Sequence, residues 1–116
     1  MVALSAATLK GDEIRNPEGE KLGTLEEIVI DTDAGRVAYG VLAAGGFLGM
    51  GEKFFAIPWD MVSVDTDNHE LVIDVDKEVL EDAPGFDKDN WPDTTDMTWV
   101  IDVYQYYGRE PYWEDV

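Results

Sequence analysis

Apolar and polar residues alternate in short runs over the first eighty residues, which is the period of β-strands. Two such runs are Lys21 to Asp31 and Arg36 to Ala43, and Asp33-Ala34-Gly35 between them has the composition of a tight turn. The second run carries apolar residues on both of its faces, which is typical of a strand in a small closed barrel. The pattern therefore predicts a hairpin whose second strand is covered on both sides.

Further short apolar runs lie before and after this hairpin. One precedes the turn Asn16-Pro17-Glu18-Gly19, and three follow the hairpin: Phe54 to Pro58, Met61 to Asp65 and Glu70 to Val75. Short strands with glycine-rich connections favour a barrel, because closing the sheet removes exposed edges. We predict a mainly β fold: a small β-barrel of five or six short strands over residues 1–86.

From Lys77 onward the spacing becomes helical and the connections become acidic. Lys77 to Asp82 predicts one or two helical turns, which Pro84-Gly85 ends. Thr95 or Asp96 is a candidate N-cap for a longer helix that runs to about Tyr107. Residues 87–116 are therefore expected to form an acidic linker followed by an aromatic C-terminal helix and tail.

Aromatic residues are concentrated in this C-terminal segment, since seven of the 13 lie between positions 91 and 116. Two arrangements are open: the segment packs on the barrel of its own monomer, or it joins a second chain in a homodimer. Aromatic side chains are also common anchors at interfaces. The candidate partner contacts here are Trp99, Tyr107, Tyr112 and Trp113.

The charge of the chain limits its partners. Eight Lys and Arg stand against 26 Asp and Glu, which gives a formal charge of −18, and 17 of the acidic residues lie in the C-terminal half. Such a surface repels phosphate backbones, so direct nucleic-acid binding is disfavoured. It suits a basic docking partner or a high-salt cytoplasm.

Cysteine and long apolar segments are both missing from the sequence. The absence of cysteine excludes disulfides and thiolate metal sites. The longest uncharged run, Val37 to Gly51, is shorter than the roughly 20 residues of a membrane span. The start of the chain does not have the pattern of a secretory signal. We expect a cytoplasmic protein with no transmembrane segment.

The glycine-rich segment at 45–51 has two interpretations. A phosphate-binding loop would continue with Lys-Ser or Lys-Thr, whereas Glu52-Lys53 follows here, so nucleotide binding is disfavoured. A wide connection between strands fits better. Its apolar residues Phe47, Leu48 and Met50 are further candidate partner contacts.

Catalytic and metal chemistry finds little support in the sequence. Asp31-Thr32-Asp33-Ala34-Gly35 resembles the start of a calcium loop, but Leu42 stands where the final Glu is needed. His69 is the only histidine and is expected to be exposed in a turn. Carboxylate pairs such as Asp74 and Asp76 are expected to be solvated. We predict no catalytic residues, no cofactor and no dedicated metal site, with weak metal binding as an alternative.

Several segments together resemble the PRC-barrel family. They are Gly-Glu-Lys-Leu-Gly-Thr at 19–24 leading into Ile28-Val29-Ile30-Asp31, then Asp33 to Val37, the glycine segment 45–51, and Ile57-Pro58-Trp59. The resemblance covers roughly residues 8–86. The segments Ala83 to Phe86, 106–108 and 111–113 are similar to the tails of stand-alone bacterial members.

This resemblance implies a docking role. In the family, the barrel occurs in the cytoplasmic part of the photosynthetic reaction-centre H subunit and at the C-terminus of a ribosome-maturation factor. We therefore expect a non-catalytic protein-interaction or adaptor module. The alternatives are a ribosome-maturation or RNA-processing accessory, a photosynthetic or membrane-complex assembly factor, and a weak metal-binding protein.

Overall fold

The structure, a computed structural model, describes residues 3–45, 53–87, 89–93 and 96–114. Its main element is a β-sheet. Two short 3-10 helices, Trp59–Met61 and Tyr112–Glu114, accompany the strands and α-helices. In chain order the strands and α-helices are α1 (Ala6–Leu9), β1 (Glu13–Arg15), β2 (Lys21–Asp31), β3 (Arg36–Ala44), β4 (Lys53–Pro58), β5 (Val62–Asp65), β6 (Glu70–Ile73), α2 (Lys77–Glu81), β7 (Gly85–Phe86) and α3 (Met97–Tyr106).

Within the described residues, seven strands form one open sheet in the order β5-β6-β1-β2-β3-β4-β7. Neighbouring strands are antiparallel except β1 and β6, which are parallel. The prediction of a mainly β fold is confirmed, but the strand count of five or six was too low. The additional strand is β7, whose two residues are too few to show a period in the sequence.

The predicted hairpin of β2 and β3 forms the middle of the sheet. Its register runs from Thr24 opposite Ala43 to Asp31 opposite Arg36. The register shifts between Leu25 and Glu27 and again between Val29 and Ile30. Such bulges bend and twist a strand, which lets one long hairpin curve around a core.

One face of the sheet covers the larger of two cores. Leu42 and Leu71 are fully buried there, and Ile57 is 2% exposed. Strands β1, β2, β3, β4 and β6 contribute to this core together with α1 and α2. Its buried members are Leu9, Ile14, Leu22, Leu25, Leu42, Phe55, Ile57, Leu71, Ile73, Val75, Leu80 and Ala83.

The opposite face of β3 and β4 packs against α3 in a second core. Val41 of β3 and Val103 of α3 are 0% and 1% exposed, respectively. Strand β3 is therefore covered on both faces, as its sequence predicts. The buried members of the second core are Tyr39, Val41, Ala43, Phe54, Ala56, Phe86, Val100, Val103 and Tyr104.

Helix α3 begins and ends at the signals that the sequence contains. Asp96 is the N-cap, and its carboxylate accepts hydrogen bonds from the backbone N–H groups of Thr98 and Trp99. Gly108 follows the helix with a φ of +70°, a conformation that glycine adopts without steric cost. Of the helices within the described ranges, none is long and apolar enough to cross a membrane.

After α3 the chain returns to the turn that joins β2 and β3. The hydroxyl of Tyr112 donates a hydrogen bond of 2.7 Å to Oδ2 of Asp31. The guanidinium of Arg36 lies 3.8 Å from the centre of the Tyr112 ring. Trp113 packs edge-on against Tyr104 of α3, with ring centroids 5.0 Å apart. These contacts hold the tail on its own sheet.

Replacing Val103 by Ala is expected to lower the free energy of unfolding by about 1.5–3 kcal/mol, because removing the two methyl groups leaves a cavity between α3 and the sheet. Val79→Ala is the matched control, since Val79 is 42% exposed on α2. It should change the free energy by less than about 0.5 kcal/mol. Urea unfolding followed by tryptophan fluorescence measures both, and equal effects would contradict a stabilising role for α3.

Tyr112→Phe tests the hydrogen bond that fixes the tail. This bond is the largest cause that holds the pKa of Asp31 below its ordinary value of 3.8. In the variant we expect this pKa to rise toward that value. The stability that the bond adds is present at neutral pH and is lost as the pH falls through the folded-state pKa of Asp31.

An NMR titration of the side-chain carboxyls measures this change. Asp65 is the internal control, because a hydrogen bond from the Asn68 side chain is the main cause that lowers its pKa. The pKa of Asp65 should be the same in both proteins. An Asp31 pKa that does not move in the variant would show that the tail is not held by this bond.

Candidate interaction surfaces

The four aromatic residues predicted as tail contacts pack on their own chain, where each is partly buried. Trp99 lies edge-on to Tyr39 and Phe86, with centroids 5.9 and 5.8 Å away. Tyr107 contacts both cores. With Tyr112 and Trp113 placed as described above, all four join the C-terminal segment to the sheet. Their remaining exposed surface is small.

The hydroxyl of Tyr107 is buried, and it has no hydrogen-bond partner among the described residues. Burial is the main cause that raises the pKa of this phenol. The neutral form is therefore the one that the fold accommodates. Nothing in this arrangement gives Tyr107 a reactive role.

The glycine-segment candidates Phe47, Leu48 and Met50 lie outside the described residues. The residues that flank this segment do lie within them. Ala44 at the end of β3 is paired with Lys53 at the start of β4. The segment therefore leaves and rejoins the sheet at one end of its central strands.

An apolar groove lies at the opposite end of those strands. It has a volume of about 640 Å³ and is formed by α1, the end of β2, the start of β3, the 3-10 helix after β4, and β5. Ile30 and Val37 face each other across the β2–β3 pair. The side chains that line this apolar groove are Leu4, Ala6, Leu9, Ile28, Ile30, Val37, Trp59, Val64 and Thr66.

The apolar groove holds the most exposed apolar side chain of the described residues. Ile30 is 55% exposed, Leu4 is 44% exposed and Val64 is 39% exposed. They are three of the seven large apolar side chains with such exposure in the described part of the chain. Three exposed apolar side chains along one groove make it a candidate contact surface.

The sequence does not distinguish Ile30 from Ile28, because Ile28-Val29-Ile30 is one apolar run. Ile28 does pack against the larger core, whereas Ile30 lies beyond it at the end of β2. A strand that extends past its core exposes its last apolar side chain. Whether Ile30 is covered depends on where the neighbouring elements end, which the sequence does not show. The groove was therefore not predicted.

Three residues that line the apolar groove are each followed in the sequence by an aspartate. Asp31 follows Ile30, Asp60 follows Trp59, and Asp65 follows Val64. Hydrogen bonds hold the pKa values of Asp31 and Asp65 below their ordinary range, through the Tyr112 hydroxyl and the Asn68 amide, respectively. Both carboxylates are therefore charged at neutral pH, but they are not among the side chains that line the groove.

A second cleft, with a volume of about 480 Å³, lies at the other end of β2, β3 and β4. Lys21, Lys53 and Lys77 line it, so we call it the lysine cleft. Its apolar wall includes Leu22, Phe55 and Leu80. The two clefts differ in their lining: the first is lined by uncharged side chains, and the second includes three ammonium groups.

The aspartate-rich turns use their carboxylates to close the backbone. Oδ1 of Asp31 accepts from the N–H groups of Asp33 and Ala34, and Oδ1 of Asp65 accepts from those of Asp67 and Asn68. His69 is exposed in its turn, as predicted. Within the described ranges, no three acidic or histidine side chains are placed to hold a metal ion.

A search of curated proteins finds no match. Among solved structures, the chain is similar to a Pseudomonas aeruginosa protein named as a 16S ribosomal RNA processing protein, RimM, with 18% identity and a TM-score of 0.43. The similarity covers 67% of this chain and 47% of that protein, so it spans about half of the latter's length.

The family comparison covers more of the chain. The model of the PRC-barrel domain matches residues 1–80, which include α1, strands β1 to β6 and most of α2. The segments that resemble this family in the sequence lie largely within the matched range. The chain belongs to the PRC-barrel family.

Proposed function

We propose that this chain is a non-catalytic protein-interaction module that docks a basic partner through the apolar groove. The observation that carries the proposal is the exposure of Ile30, Leu4 and Val64 along one groove. Full burial of an exposed side chain of this size supplies about 1.5–3 kcal/mol, and these side chains, which are 39–55% exposed, would supply roughly half of that each. A groove of this kind is an apolar anchor site within an acidic surface.

Charge favours a basic partner over a second copy of the chain. Each copy carries a formal charge of −18, so two copies joined at this groove would bring like charges together. A partner segment with apolar side chains and flanking Lys or Arg would be attracted by the negative charge of the whole molecule. Complementary charge of this kind also accelerates association.

The sequence-based contacts remain part of the proposal. Phe47, Leu48 and Met50 are proposed to add apolar contacts from the glycine segment. The tail residues Trp99, Tyr107, Tyr112 and Trp113 can contribute only the surface that their own packing leaves exposed. The homodimer expected from the tail stays a prediction, and so does the cytoplasmic location.

An affinity capture with groove variants tests the proposal. The full chain, the double variant Ile30→Ser with Val64→Ser, and Val79→Ser are immobilised and exposed to native lysate. We expect a partner whose affinity falls at least tenfold for the double variant, or about 1.4 kcal/mol. Val79→Ser should bind normally, because Val79 is 42% exposed but lies on α2, away from the groove.

Capture of some protein is not by itself support. Cross-linking followed by mass spectrometry should place a Lys- or Arg-rich segment of the partner beside the apolar groove. A basic ribosomal protein at this position would favour the ribosome-maturation alternative. A partner that binds the double variant as well as the original chain, or that meets the groove with an acidic segment, would contradict the proposal.

A further variant separates the glycine segment from the groove. Phe47→Ser with Leu48→Ser removes two apolar side chains of that segment and keeps the groove intact. If the segment is a contact, the same partner should lose affinity, whereas unchanged affinity would remove it from the binding surface. Circular dichroism and thermal unfolding of every variant establish that the fold is retained.

A further inference from the structure

The lysine cleft has the size and position of a small-molecule site that the docking proposal does not use. It lies between the first residues of β2, the last of β3, the first of β4, and α2. Its volume of about 480 Å³ falls within the range of roughly 300–1,000 Å³ that is usual for ligand sites. It is at the opposite end of these strands from the apolar groove.

Positive charge is concentrated in the lysine cleft, although the chain as a whole has far more acidic than basic residues. Three lysines line it, and among the described residues of its lining the one acidic side chain is that of Glu81. A small site of this composition is locally cationic, although the whole molecule carries a charge of −18. An anion is therefore attracted at this site and repelled by most of the remaining surface.

The contacts of Lys21 and Lys53 leave hydrogen-bond donors on both ammonium groups for a ligand. Nζ of Lys21 is 3.6 Å from Oε1 of Glu13, and this carboxylate also pairs with Arg15 at 2.6 Å. Glu13 is thus shared between two cations. Nζ of Lys53 lies 5.4 Å from the centre of the Phe55 ring, inside the cleft.

The interior of the lysine cleft is apolar. Leu22, Phe55 and Leu80 are 5%, 4% and 2% exposed, so they belong to the packed core and present a fixed surface. Ala44 and Gly45 at the end of β3 have little or no side chain, which leaves the space open. An apolar body can lie on this wall while a charged head meets the ammonium groups.

We propose that the lysine cleft binds a small anionic amphiphile, whose carboxylate or phosphate head lies among Lys21, Lys53 and Lys77 and whose apolar chain lies on Phe55 and its neighbours. Lysine is a suitable residue for such heads, because its ammonium group donates three hydrogen bonds. A large polyanion does not fit this proposal, because it would extend beyond the cleft onto the acidic surface.

Calorimetric titration of the full chain tests this site with three probes of equal chain length: decanoate, decyl phosphate and uncharged decanol, each below its aggregation concentration. We expect saturable 1:1 binding of at least one anion and at least tenfold weaker binding of decanol. The tighter of the two anions identifies the head group.

Charge-neutral variants locate the site. Lys53→Gln should weaken anion binding about three- to tenfold, and the triple variant with Lys21→Gln and Lys77→Gln should weaken it further. Lys10→Gln is the matched control, because Lys10 pairs with Glu27 at the surface and lies outside the cleft. Its affinity should equal that of the original chain.

Several outcomes would overturn the proposal. They are the absence of saturable binding by either anion, equal binding of decanol, and equal losses in Lys53→Gln and Lys10→Gln. If the triple variant does not fold, the single variant and the comparison of probes still decide. Because the groove variants Ile30→Ser and Val64→Ser should not alter anion binding, this test is independent of the docking proposal.

Discussion

The packing of strand β3 between two apolar layers is the constraint on which the rest of the structure depends. Leu42 faces the core that the sheet encloses, and Val41 faces helix α3; both are fully buried. A strand with two apolar faces must be covered twice, because either face left in water would remain a large exposed apolar surface. The C-terminal helix supplies the second cover, which places the aromatic tail on the sheet.

This double packing also separates the two clefts. Strands β2, β3 and β4 run between them, so residues at one end of a strand line the lysine cleft and residues at the other end line the apolar groove. Lys21 and Ile30 of β2 illustrate the separation, since they lie near opposite ends of one 11-residue strand. A rigid central sheet thus presents two surfaces of different chemistry.

The two surfaces are proposed to bind different partners. The strongly acidic molecule repels anions in general, yet it gathers three lysines around one cleft. The apolar groove has no charged side chain among the described residues that line it. The two proposals, a basic protein at one end of the sheet and a small anion at the other, are compatible. Salt screens charges that lie far apart, so each site attracts its partner through nearby charges.

The sequence by itself determined strands β1 to β6, the helix α3 and the family, because periodicity, turn residues and caps act over a few neighbouring positions. Asp96 and Gly108 fixed the helix ends in this way. Only the tertiary structure decided which apolar side chains stay exposed and which distant lysines meet. Ile30 and Ile28 are equivalent in the sequence, but only Ile30 extends past the core; Lys21, Lys53 and Lys77 become neighbours through strand pairing and helix packing, which are long-range contacts.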